Sequence, residues 1–397
     1  MVNDFLKIRY AKFVTMLTTP IYLDYNSTTP VDERVLEVML PYFNQKFGNA
    51  SSRTHSFGWI ADEAVKVARK QVAELIGCIE QEIIFTSGST EAINLAIKGI
   101  YENYKNKGNH IVTVKTEHKS VLDVCRALEK KGARVTYLDV SSDGLISLTE
   151  LENAITPQTI LVSVMYANNE TGVIQPVKQI SEIIHAKGSI FLSDATQAIG
   201  KIPVNVNEDG IDLLALSAHK MYGPKGTGAL YIRRKNPRVS LVPLLEGGGH
   251  ERGLRSGTLN VPGIAGFGKA CEIAKNEMDA NLSIRILRDK LQQSLLQLKG
   301  SKINGSIEKR LPNTLNISFE GIKAENLIIK ARELAFSTGS ACTSAVMEPS
   351  HVLKAMGVST ENAYGAIRFS LGKYTTEEQI NLAIETITEE IVKKGNQ

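Results

Sequence analysis

The residues of this chain that could do chemistry sit in short polar stretches, and each stretch follows an apolar run. In one of them Ser217, His219 and Lys220 come after the apolar run 211–216 and before Gly223, Pro224, Gly226 and Gly228. A lysine at the end of a buried strand loses solvation, and its amine becomes a nucleophile suited to Schiff-base chemistry. A surface lysine on a βα connection has the same local sequence. Thr86-Ser87-Gly88-Ser89-Thr90-Glu91 follows the apolar run 83–85 and opens a helical pattern. It reads as an anion site of hydroxyls and backbone N–H groups, or as an ordinary capping box. His118 can stack on a flat ligand or move protons, or merely cap a helix. The run 168–172, with Asn168 and Asn169, offers amides to a ligand or makes a tight turn. Asp194 needs a positive partner if buried, or serves as an N-cap.

Taken together the five stretches hold a phosphate cradle, an imidazole, an amide, a carboxylate and a lysine. That set meets the needs of pyridoxal 5'-phosphate: a phosphate anchor, ring stacking, a hydrogen bond to the ring hydroxyl, a counter-ion for the ring nitrogen and a lysine for its aldehyde. Neither a Walker lysine nor a Gly-x-Gly-x-x-Gly run accompanies the 86–91 stretch, so ATP and dinucleotides are disfavoured. Cys342, in the small polar run 337–344, is the candidate nucleophile. Cys78, Cys125 and Cys271 lie in or beside helical patterns and read as packing residues. Arg368, in an apolar run, suits a bidentate carboxylate clamp or a structural ion pair.

The elements that must position these groups alternate. Strands are expected at 83–85, 110–114, 133–138, 160–165, 190–192, 211–216 and 229–232. Helices are expected at 57–76, 90–104, 118–130, 148–155 and 176–186. Such alternation implies a mostly parallel sheet covered on both faces, with ligands at the carboxyl ends of the strands. After about residue 262 the pattern changes. A long helical stretch (262–298), a strand (313–319), a helix (324–332) and a final helix from 377 indicate a second, smaller α+β domain.

The 397 residues, 43% hydrophobic and 22% charged, suit a globular chain with room for two cores. A net charge of +4 with no long like-charged block calls for neither nucleic acid nor a membrane surface. Four widely spaced cysteines show no metal-ligand spacing and suit a reducing compartment. A cytoplasmic location is expected ahead of a mitochondrial one. Residues 1–20 contain one arginine and Asp4, unlike an arginine-rich, acid-poor presequence, and read as a plain extension.

From about residue 21 to 387 the chain resembles the cysteine desulfurases of the IscS/NifS type, in the class V aminotransferase group. The resemblance rests on Leu23-Asp24-Tyr25, Thr86-Ser87-Gly88, Thr116-Glu117-His118-Lys119, Asn168-Asn169-Glu170, Asp194-Ala195-Thr196-Gln197, Ser217 with His219-Lys220, Arg255-Ser256-Gly257-Thr258 and Gly339-Ser340-Ala341-Cys342-Thr343-Ser344. It implies fold type I: a large domain (30–275) with a mostly parallel seven-stranded sheet, and a small domain from 1–29 and 276–397. By the same resemblance Lys220 would bond the cofactor, Asp194 would pair with its ring nitrogen and Gln197 with its ring hydroxyl. His118 would stack on the ring and shuttle protons. Ser89, Thr90, Ser217 and His219 would bind the phosphate, and Thr258 the phosphate of a neighbouring subunit, making a homodimer. Asn169 would contact cofactor or substrate, Arg368 the substrate carboxylate, and Cys342 would take sulfur from L-cysteine and leave L-alanine.

The resemblance further implies sulfur delivery to an iron–sulfur scaffold protein or to tRNA thiolation. Ser89 and Ala218 replace the alanine and glycine of many relatives. The sequence ends soon after the last helix, where housekeeping relatives carry a tail that docks the scaffold, which leaves the docking mode open. Two other readings compete. A selenocysteine lyase or aminotransferase would share the cofactor site, but transamination needs no loop thiol. A non-catalytic assembly platform would need neither Lys220 nor Asp194.

Overall fold

The computed structural model describes residues 20–338 and 349–395. Among these residues the strands form three sheets. The largest has seven strands: β2 (Ile83–Thr86), β3 (His110–Val114), β4 (Arg134–Leu138), β5 (Thr159–Ser163), β6 (Ile190–Asp194), β7 (Leu213–Ser217) and β8 (Gly228–Ile232). Their order is β2-β8-β7-β6-β5-β3-β4. Only β8 is reversed, antiparallel to both β2 and β7; the other pairs are parallel. Every strand but β4 is buried along its whole length, because helices cover both faces.

The helix Ser56–Ile76 shows how the covering layer is specified. It buries Ala61, Ala64, Val65, Ala68, Val72 and Ile76 on one face. Gly77 ends it in the left-handed region at φ 72, and its N–H reaches the Ala73 carbonyl. The helix packs against Val261–Asn276, whose Ile264, Phe267, Ala270 and Cys271 are buried in the same core.

A four-stranded antiparallel sheet, β12-β13-β10-β9, comprises β9 (Ser301–Ile303), β10 (Thr314–Phe319), β12 (Ser337–Thr338) and β13 (Ala366–Ser370). Beside it β1 (Ile21–Tyr22) pairs in parallel with β11 (Leu334–Ala335). Ile21 and Leu23 share an apolar core with Leu291, Leu315, Ile317, Phe369 and Ile387. The helical stretch expected at 262–298 is two helices, Val261–Asn276 and Ala280–Leu295. The strand β9 and the helices His351–Ala355 and Thr360–Tyr364 were not anticipated. Five-residue helices are too short to carry a readable period.

One buried ion pair ties the sheet edge to the loop beyond it. Arg69 donates from Nη1 and Nη2 to the two carboxylate oxygens of Glu251, at 2.9 and 2.6 Å. Glu251 also accepts from the Phe85 N–H at 2.7 Å, at the β2 edge. Its backbone sits at φ 48, a conformation held by these bonds. Removing one partner strands a buried charge. Arg69→Ala is expected to lower the unfolding free energy by about 3–5 kcal/mol, read by urea denaturation; a loss under 1 kcal/mol would refute the assignment.

Candidate active site

Strands β2, β3, β5, β6 and β7 all run the same way, so the segments following them emerge at one edge of the sheet. Together with 24–27, Ser337, Thr338 and Arg368 they enclose a cavity of about 560 Å3. Its walls include Ser89, Thr90, His118, Asn169, Asp194, Gln197, His219, Lys220 and Arg368. Nine of the twelve site residues expected from the sequence therefore meet at one place.

After β2 the chain turns at Gly88 into the helix Ser89–Tyr104. The capping-box reading is not met: the N-cap is Gly88, with no side-chain cap bond, and only Glu91 reaches back, accepting from the Ser87 N–H at 2.8 Å. Gly88 and Gly228 make the turn possible. A Cβ on Gly228 would lie 2.6 Å from the Gly88 Cα and 2.5 Å from the Leu216 oxygen. Only glycine at 228 lets the β8 backbone pass so near the helix start.

His118 follows β3 as the N-cap of Lys119–Glu129, its Nδ1 accepting from the Ser120 N–H at 3.1 Å. Beside it Glu117 is fully buried and accepts from the Met165 N–H at 2.5 Å. Burial, then the charge of Asp194, holds its carboxyl well above the usual range. The turn after β5 divides its two amides. Asn168 Oδ1 accepts from the Glu170 and Thr171 N–H groups and so builds the turn, while Asn169 lines the cavity. Asp194, at the end of β6, accepts from the Thr196 N–H on Oδ1 at 2.9 Å, which leaves Oδ2 for a further partner.

Lys220 closes the single 3-10 turn after β7. Its Nζ donates to the carbonyl oxygens of Asn26 and Ser27, each at 2.6 Å. Burial, then the charge of Arg368, lowers the pKa of its amine to about 8, against the opposing charges of Asp24 and Asp194. His219 is lowered to about 4 by burial and by Lys220 and Lys225. The Arg368 guanidinium donates to Asp24 Oδ1 at 2.6 Å, Ser27 Oγ at 2.8 Å and the Asn169 carbonyl at 3.0 Å. Its Nε is buried and has no partner among the described residues.

Two expected residues lie elsewhere. Ser217 is buried at the end of β7 but does not line the cavity. Thr258 is exposed on a loop outside it. Cys342 falls outside the described residues. Cys78, Cys125 and Cys271 are free thiols; burial raises all three pKa values, that of Cys125 to about 12. Asp24, Asn26, Glu117, Glu170 and Lys201 had no assigned role. Asp24, Glu117 and Glu170 lay within the motifs already noted. Lys201, by contrast, follows a glycine in a turn and carries no local sign of burial.

Among the described residues no His, Cys, Asp and Glu group could hold a metal ion, and no helix is long and apolar enough to cross a membrane. The family model for aminotransferase class V matches residues 21–382. The cysteine desulfurase IscS of Anaeromyxobacter dehalogenans is 54% identical over 94% of this chain and 93% of its own length. That of Rickettsia bellii is 54% identical over 95% and 92%. A solved NifS-like protein superposes with a TM-score of 0.87 at 41% identity, over 94% of this chain and 99% of that one. SspA, solved in complex with cysteine, superposes at 0.79 with 37% identity, over 89% and 99%. The chain belongs to the class V aminotransferases and, within them, to the cysteine desulfurases of the IscS/NifS type.

Proposed function

We propose that this chain is a pyridoxal 5'-phosphate-dependent cysteine desulfurase that passes the sulfur of L-cysteine to Cys342 and releases L-alanine. The observation that carries the reading is the cavity itself, where a lysine of lowered pKa faces a buried carboxylate, an imidazole, a hydroxyl-lined helix start and an arginine. The residues present fit the cofactor. The hydroxyls of Ser89 and Thr90 at the helix start suit its phosphate, with His219 alongside. Asp194, with Oδ2 to spare, suits a protonated ring nitrogen. Gln197 suits the ring oxygen, His118 the ring face, and Lys220 the aldehyde. When bound, the cofactor supplies an electron sink for the pair left when the substrate Cα–H bond breaks.

The roles of this chain's own residues follow. Arg368, at the cavity wall, would take the substrate carboxylate, and Asn169 would orient the bound molecule. Lys220 would accept the Cα proton and, with His118, return protons to carbon. The Cys342 thiolate would attack the substrate sulfur, forming an S–S bond as the C–S bond breaks. The balance is one cysteine and one thiol to one alanine and one persulfide. Delivery from Cys342 to an iron–sulfur scaffold or a tRNA-thiolation acceptor belongs to the same reading, as does a cytoplasmic location.

Two observations support a homodimer as part of the same reading. Phe43, Phe47, Phe57, Trp59 and Ile60 are exposed together near the start of the helix Ser56–Ile76. Thr258 lies outside the cavity of its own chain, as it would if it served a neighbour's phosphate. Residues 30–275 and the two terminal segments form the two proposed domains; the shared core of Ile21 and Leu23 with residues beyond 284 supports that division.

Purified protein is expected to be yellow and Lys220→Ala to lose the colour. Cys342→Ala should keep the colour yet release no sulfide from cysteine, and mass analysis of the parent protein after cysteine should find a persulfide on Cys342. Turnover by Cys342→Ala with reductant would overturn the sulfur assignment.

The amine also makes a pH prediction. Near pH 8 about half of Lys220 is neutral, against about one in 300 of an ordinary lysine. In cofactor-free protein an amine-acylating reagent should therefore label Lys220 first, with a rate rising through a midpoint near 8. A midpoint above 10 would show that burial does not activate it.

A further inference from the structure

Lys201 is buried behind the cavity and takes no part in the reaction described above. Its Nζ donates to Gln197 Oε1 at 2.5 Å and to Asn26 Oδ1 at 3.0 Å. Gln197 in turn donates from Nε2 to the Asn26 carbonyl oxygen at 2.9 Å. These bonds allow one orientation of the Gln197 amide. Turned over, it would set its oxygen against the Asn26 carbonyl, acceptor against acceptor. In the permitted orientation one N–H goes to Asn26 and the second remains for whatever fills the cavity, which Gln197 lines.

Lys201 suits this task chemically. Burial, then the charges of Lys220 and Arg368, holds its amine well below the ordinary range. Its Nζ is committed to two acceptors, Asn26 Oδ1 and Gln197 Oε1. No carboxylate pairs with Lys201 among the described ion pairs, so a structural salt bridge does not explain it.

We propose that Lys201 is a positioning residue that locks the Gln197 amide with its N–H toward the ring oxygen of the bound cofactor. This rests on the cofactor assignment made above. With Lys201 in place the Gln197 amide is held at both ends. Without it one anchor remains, and the amide can turn its N–H away. A donor aimed at the ring oxygen stabilises negative charge there and so lowers the pH at which the Lys220–cofactor linkage loses its proton. Losing the donor raises that pH.

The test is a pH titration of the visible absorbance of cofactor-loaded enzyme, in parent, Lys201→Met, Lys201→Arg, Gln197→Leu and the Lys201→Met/Gln197→Leu double variant. Lys201→Met should bind cofactor and move the midpoint up by about one pH unit. Lys201→Arg, which keeps donors and has the groove beside Ile202 and Pro203 to occupy, should restore it. In the Gln197→Leu background Lys201→Met should move nothing further. If Lys201→Met yields no folded holoenzyme, Lys201→Gln takes its place. Its shorter side chain reaches one acceptor at most, so a smaller upward shift is expected, again abolished by Gln197→Leu. A coloured variant with an unmoved midpoint overturns the proposal, as does a shift that persists without Gln197, which would be a direct charge effect. A colourless parent protein would instead overturn the cofactor assignment.

Discussion

The cavity depends on the hydrogen bonding of one residue, Asn26. Its carbonyl oxygen receives Lys220 and Gln197 from the large sheet. Its side-chain oxygen receives Lys201 and Asn313, and its amide donates to Thr314 and to the Asn169 carbonyl. Its own N–H reaches Ser370 at the end of β13. The seven-stranded and four-stranded sheets are thus tied to a single residue. A buried amide must satisfy all its donors and acceptors, and here they are satisfied by the two bodies whose relative position defines the cavity. The Arg368 guanidinium adds a second tie, from β13 to Asp24 and Asn169.

That arrangement sets the electrostatics. Burial lowers the proton affinity of both Lys201 and Lys220; the charges of Lys220 and Arg368 add to the effect at Lys201, and that of Arg368 adds to it at Lys220. Asp24 and Asp194 oppose the shift at Lys220, whose pKa is lowered to about 8; no carboxylate is among the charges that act on Lys201, which is held well below its ordinary range. The two lysines consequently differ in kind. One sits at the cavity wall, where it can gain or lose a proton. The other is enclosed, and its N–H groups are committed to two neighbours.

Much of this was legible in the residue order because parallel β/α units advertise themselves. Apolar runs separated by helical periods predict strands, and their carboxyl ends predict where polar residues meet. Lys220, Asp194, His118 and the 86–91 stretch were found that way. The sequence did not reveal partnerships between distant residues. Asn26 and Lys201 are 175 positions apart, Asn26 and Thr314 are 288 apart, and no local pattern records either contact. Asn168 and Asn169 are adjacent and identical in type, yet one builds a turn and the other faces the cavity. Only the backbone path separates them. Lys201 has the local sequence of a surface turn, and its burial comes entirely from elements elsewhere in the chain.

The remaining thiols bear on how such a protein tolerates its own chemistry. Cys78, Cys125 and Cys271 sit where desolvation suppresses ionisation; with a pKa of about 12, Cys125 is a thiolate about once in 10^5 molecules at neutral pH. Sulfur passes between thiols only through the thiolate. On the proposed reading, a chain that loads sulfur onto one cysteine while carrying three others must prevent migration among them, and packing would do so without removing them. Their insulation from sulfur traffic comes from the same apolar cores that hold the helices to the sheet.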